Sequence, residues 1–148
     1  MPNSYTSLVY HIVFGTKHRV PQITGDVAPS LYAYMAGIIK NLDGKPIIIG
    51  GVEDHVHILT VLGQSRAVDA VVRDLKANSS RWVHGQFPDL GDFAWQSGGG
   101  SFTVRVKGIP AARRYIEGQQ AHHREVSFRE ELVGFLKMHD IPYDERYV

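Results

Sequence analysis

The stretch "PIIIGGVEDHVHILTVLG", residues 46–63, decides the fold. Its two halves, "PIIIGGVED" and "HVHILTVLG", are β-rich runs, and the polar pair Glu53-Asp54 between them suits a tight antiparallel turn. A hairpin is therefore predicted. Alternate side chains of a strand share a face, so His55 and His57 point the same way, with Cα atoms roughly 6.6 Å apart. Val56 and Ile58 point to the other face and suit burial under helices, which leaves the histidine face as the floor of an open site.

Upstream of the hairpin, "SLVYHIVFGT" (7–16) reads as a strand and "KHRVPQI" as a basic loop broken by proline. Residues 29–42 place Leu31, Tyr34, Met35, Ile38, Ile39 and Leu42 at helical spacing behind a proline suited to a first turn. Downstream, Val68, Val71, Val72, Leu75, Ser79 and Trp82 mark one face of a helix running from Arg66 to about Trp82. "FPDLGDFAWQSGGG" is turn-rich, and "SFTVRV" alternates like a strand. "KGIP" opens a third helix through "AARRYIEGQQAHHREV", and "FREELVGFLKMHD" forms a last one. The βαββαβ order predicts an α+β, ferredoxin-like or RRM-like sheet with helices on one face and a C-terminal tyrosine-bearing helix. With no repeat and no linker long enough to separate units, residues 1–148 are expected to form a single domain.

A chain of 148 residues with 43% hydrophobic content can build its core without staples, and the absence of cysteine excludes disulfides and thiolate zinc sites. Any metal must be held by histidine, carboxylate, amide or water. The first residues lack the pattern of a signal peptide and no window is long enough to span a bilayer, so a cytoplasmic location without membrane contact is expected. A net charge of +1 argues against a generally basic nucleic-acid coat. Contact with nucleic acid would rest on local clusters: Lys17, His18 and Arg19; Arg73, Lys76 and Arg81; and Arg105, Lys107, Arg113 and Arg114. Each of these also reads as an ordinary solvated face.

Two constellations carry chemistry. His55 and His57 can share one metal ion; the competing reading is a pair of sheet-surface histidines bonded to backbone or water. Tyr115 and Gln119 stand four residues apart on one helical face, where a nucleophile and a ligand can meet. A phenol is a poor nucleophile at its free pKa of about 10, but a metal polarising the attacked phosphate, helped by Arg113 or Arg114, compensates. The Gln119 amide can complete a hard-metal site; the competing reading packs Tyr115 at the edge of a core. His122 and His123 read as facing solvent or phosphate, and "WQSGGGSF" as a connecting loop or a surface for unpaired bases.

Taken together, "YHIVFGTKHR", "DHVHIL", "FAWQSGGGSFTV", "YIEGQQAHH" and "YDERYV" resemble, nearly end to end, the single-tyrosine HUH transposases of small insertion sequences and the related REP-associated tyrosine transposases. The resemblance implies that His55, His57 and Gln119 bind Mg2+ or Mn2+ and that Tyr115 attacks a DNA phosphate. The products would be a 5′-phosphotyrosine and a free 3′-hydroxyl. It further implies single-stranded DNA with hairpin ends as partner, contacted by the clusters at 17–19 and on the second helix. It also implies a homodimer whose active sites are shared between subunits, with Gly108 as a hinge ahead of the tyrosine helix. Two other functions compete: a non-catalytic single-stranded nucleic-acid-binding module of ferredoxin-like form, and a metal-dependent phosphoesterase that releases product to water.

Overall fold

The structure is a computed structural model that describes residues 4–123 and 125–148. Residues 1–3 of the expected domain and Arg124 of the expected third helix lie outside the described residues. Along the chain run β1 (Val9–Gly15), α1 (Ala28–Asn41), β2 (Lys45–Val52), β3 (His55–Val61), α2 (Val68–Gln86) and β4 (Gly100–Thr103). They are followed by α3 (Ile109–Glu117), α4 (Gln119–His122) and α5 (Phe128–Met138). The strands form one antiparallel sheet in the order β2-β3-β1-β4, the arrangement that the βαββαβ pattern predicts.

Register sorts the two central strands into faces. Ile12 pairs with Ile58 and Phe14 with Val56, and these four bury against Leu31, Met35 and Ile39 of α1 and Val71, Leu75 and Val83 of α2. Apolar side chains at helical spacing on both crossover helices make this the main core. Val13 pairs with His57 and His11 with Leu59, so these side chains project from the opposite face.

That opposite face is where the structure departs from the expectation of an open floor. It is roofed by α3, α4 and α5: Val13 and Phe102 pack on Phe128, Leu132 and Leu136, while Val9 and Leu59 pack on Ile116. His55 and His57 are fully buried beneath them. Two glycines let the roof descend. A Cβ on Gly50, opposite His57, would come within 2.9 Å of Ile116, and one on Gly15, opposite His55, within 2.9 Å of Phe128. Small residues beside the histidines thus buy the close approach of the helices that cover them.

The third helix also differs from its expected span, because Gly118 interrupts it and starts the short α4. The phase of α5 is set at Ser127, whose hydroxyl accepts the Glu130 N–H while the Glu130 carboxylate accepts the Ser127 N–H. This capping box fixes which side chains of α5 face the sheet.

Candidate active site

Each imidazole of the hairpin is held at Nδ1 and aims Nε2 at a common point. His55 Nδ1 lies 2.7 Å from Asp54 Oδ1, and His57 Nδ1 lies 2.7 Å from His11 Nε2. Engaging one ring nitrogen in this way orients the ring and frees the other for a ligand. The two Nε2 atoms converge on Glu131 Oε1, at 3.4 Å from His55 and 2.8 Å from His57. Asp54 owes its place to the hairpin turn, where its carbonyl accepts from the Thr16 N–H at 2.8 Å.

The tyrosine segment meets the same carboxylate from above. The Tyr115 hydroxyl donates to Glu131 Oε2, and the Gln119 amide nitrogen donates to that oxygen at 3.2 Å. Gln119 Oε1 is turned the other way, 3.1 Å from His55 Nε2. Despite the break at Gly118, the expected pairing of Tyr115 with Gln119 survives, with the Gln119 amide also reaching the Tyr115 carbonyl at 3.4 Å. A cleft of about 580 Å³ opens beside Tyr115, lined by His11, Ala112, His122, Glu131 and Phe135. The nucleophile candidate is therefore reachable, while His55 and His57 are fully buried.

Electrostatics follow from burial. Desolvation pushes His11 down to about 3, helped by the neighbouring His57. It also lowers His57 and His123. His55 goes the other way, because hydrogen bonds to Asp54 and Glu131 outweigh the burial that opposes its charge. Burial alone would raise Glu131, but hydrogen bonds from His55 and His57 hold its carboxyl far below the usual range. Desolvation and the contact with Glu131 raise Tyr115, so its hydroxyl is protonated at neutral pH.

His55, His57, Tyr115 and Gln119 are thus brought together. Within the single chain described, α3 to α5 fold back over their own sheet and bring both halves of this constellation together. His123 departs from its expected solvent-facing or phosphate-facing role: its side chain is buried, with Nε2 3.2 Å from Glu131 Oε2 but off the direction of a hydrogen bond and without a partner among the described residues. His122 keeps to that expectation in part, since it lines the cleft while its Nε2 also lies 3.2 Å from Glu131 Oε2.

The sequence reading did not single out Glu131 or His11. Glu131 had a legible signal, since it falls on the apolar stripe of α5 beside Phe128, Leu132 and Leu136. His11 had one too, being an inward position of the first strand, on the same face as Val13.

The basic residues divide. Lys17, His18, Arg73, Arg81, Arg105 and Arg114 are exposed. Arg19 is partly buried, with its guanidinium 4.4 Å from the centre of the Phe128 ring, which itself stacks on His55. Lys76 is turned to the protein, donating to the carbonyls of Gln96 at 2.9 Å and Gly98 at 2.7 Å, so its ammonium braces the glycine-rich segment.

With this geometry in place, comparison with known proteins is informative. Residues 4–119 match the family described as "Transposase IS200 like". The chain belongs to that family. This IS200-like transposase is 28% identical over 126 residues to the ISDra2 transposase TnpA of Deinococcus radiodurans, covering 80% of this chain and 86% of the relative. Its fold is similar to a crystal structure from Deinococcus radiodurans R1 assigned as a transposase. The TM-score is 0.67 at 24% identity, over 80% of this chain and 95% of that one. It is also similar to a REP-associated tyrosine transposase solved with a REP hairpin, with a TM-score of 0.61 at 14% identity over 85% and 76% of the two chains. The family match takes in the hairpin histidines, Tyr115 and Gln119 and stops short of α5. Among the described residues, no helix is long and apolar enough to cross a membrane.

Proposed function

We propose that this transposase cleaves and rejoins single-stranded DNA at the ends of an insertion sequence, with Tyr115 as nucleophile. The observation that carries this reading is the meeting of the Tyr115 hydroxyl, the Gln119 amide and the Nε2 atoms of His55 and His57 around one buried carboxylate. Tyr115 Oη attacks the scissile phosphorus, a bond forms between them, and the bond from phosphorus to the 3′-oxygen breaks. The hydroxyl proton lies against Glu131 Oε2, which is placed to receive it, and the departing 3′-oxygen takes up a proton to become a 3′-hydroxyl. The 5′-phosphotyrosine retains the bond energy, so a new 3′-hydroxyl can reverse the step and join a different strand.

The donors suit a divalent cation, Mg2+ or Mn2+, held by His55, His57 and Gln119. Gln119 Oε1 and His55 Nε2 are 3.1 Å apart, close to the spacing of about 3 Å between neighbouring ligands at 2.1 Å from an ion. When bound, the ion supplies Lewis-acid polarisation of the phosphate. Arg114 and Arg105 flank the tyrosine segment as phosphate contacts. Lys17, His18 and Arg19, with Arg73 and Arg81 of α2, form the surface for a DNA hairpin of the kind bound by the REP-associated relative. Lys76 contributes there by bracing residues 96–98. In a homodimer, each subunit would carry a complete site.

The test is denaturing electrophoresis of the protein with labelled single-stranded DNA spanning the element's ends, in Mg2+ or Mn2+, comparing wild type with Tyr115→Phe. A metal-dependent covalent band that Tyr115→Phe lacks is the expected result. A protein that binds this DNA but forms no adduct overturns the catalytic reading in favour of a binding module, and cleavage without adduct points to hydrolysis by water.

A further inference from the structure

We infer that Glu131 is itself a ligand of the divalent ion, delivered by α5 from beyond the segment that the family match covers. The inference rests on the metal-assisted reading above and deepens it.

The first argument is charge. Glu131 is a carboxylate with a side chain 2% exposed, and its ion-pair partners among the described residues are all histidines: His55, His57, His122 and His123. A buried anion is costly unless an opposite charge meets it. His55, His57 and Gln119 offer an ion only neutral donors when they ligate, whereas Mg2+ and Mn2+ favour carboxylate oxygen. The carboxylate and the cation each supply what the other lacks.

Geometry is the second argument. Glu131 Oε1 is 2.8 Å from His57 Nε2 and 3.4 Å from His55 Nε2, while Gln119 Oε1 is 3.1 Å from His55 Nε2. These separations bracket the spacing of about 3 Å expected for adjacent ligands of one small ion. Oε1 faces the imidazoles and Oε2 faces Tyr115, so one carboxylate can ligate with one oxygen and hold the nucleophile with the other.

The third argument starts from a different side chain. Among the described residues, the buried His123 Nε2, on a side chain 8% exposed, has no hydrogen-bond partner. It belongs to a group with His55, His57 and Glu131 whose donor atoms lie within 4.8 Å of one another. With Nδ1 donating to the Val126 carbonyl, Nε2 presents its lone pair beside a buried anion, an arrangement that suits a cation between them.

The experiment is titration calorimetry of the metal-free full-length protein with Mn2+, comparing wild type with Glu131→Gln and Glu131→Ala. Both variants are expected to bind at least about tenfold more weakly, since affinity for such ions follows ligand charge. Mn2+ affinity equal to or above that of wild type, in a variant with an unchanged circular dichroism spectrum, overturns the inference and makes Glu131 an occupant of the ion's place. A second measurement needs no variant. Mn2+ should slow amide hydrogen exchange in α5 of the wild type more than in α1, and bound Mn2+ that leaves α5 unaffected overturns the inference equally. Wild type that takes up no Mn2+ overturns the metal-assisted reading and this inference together. Tight binding indifferent to Glu131 overturns this inference alone.

Discussion

From the same two strands, Ile12, Phe14, Val56 and Ile58 point to one face of the sheet and His11, Val13, His55 and His57 to the other. All eight are buried, yet the two faces are built on opposite terms. On the first, apolar area removed from water against α1 and α2 stabilises the fold. On the second, imidazoles and a carboxylate are buried beside a half-buried phenol, and these groups are satisfied mainly by one another. Alternation along a strand lets neighbouring residues answer to different demands, so fold and chemistry can be perturbed separately.

The sharpest test of that separation is His57→Ala. Adduct formation should fall by at least about a hundredfold, because one of the proposed ion ligands is removed. Hairpin affinity, measured by gel shift, should hold, since Lys17, His18 and the exposed face of α2 are untouched. Parallel loss of binding and cleavage would break the comparison.

One residue further along, Ile58→Ala should cost about 2–5 kcal/mol of stability, read from urea unfolding, because it opens a cavity in the main core. Adduct yield per folded molecule should stay near wild type. A selective loss of chemistry would show that the two faces are coupled.

The smallest effect is a pH dependence of the metal-free protein. His11 takes a proton near its ordinary 6.5 when unfolded but only near 3 when folded, so the unfolded state binds more protons between those values. Stability therefore falls as pH drops through this window, by roughly 2 kcal/mol from pH 7 to pH 5 for this group alone. His57 and His123 act in the same direction and His55 in the opposite one. Thermal unfolding followed across this range in wild type and His11→Gln should show a shallower acid loss in the variant; identical slopes would remove His11 from the account.

Much of this was legible in the sequence because it is written in local periods. The hairpin, the two crossover helices and the faces of Val56 and His57 follow from alternation and helical spacing, and the sheet order follows from the sequence of elements. Tyr115 and Gln119 were visible as a pair four residues apart, although Gly118 breaks their helix. The roof was not legible. Whether a helix after β4 covers the histidines depends on Gly15 and Gly50 leaving room for Phe128 and Ile116, a contact between residues far apart in the chain. For Glu131 the apolar stripe of α5 in "FREELVGFL" marks it as inward-facing, but that histidines of the sheet are what it meets is not legible until the partner of that stripe is known.

The order of these elements along the chain gives the enzyme a timetable. Both faces of the sheet, with α1 and α2, come from residues 9–103, whereas Tyr115, Gln119 and Glu131 are all encoded later. Domains emerge from the ribosome amino end first, so a nascent chain can complete its main core while Tyr115 is still unmade. Throughout that interval it carries the exposed basic turn at Lys17 and His18 but not the nucleophile proposed above. On the proposed mechanism, cutting competence arrives only after the sheet that carries the site has been made.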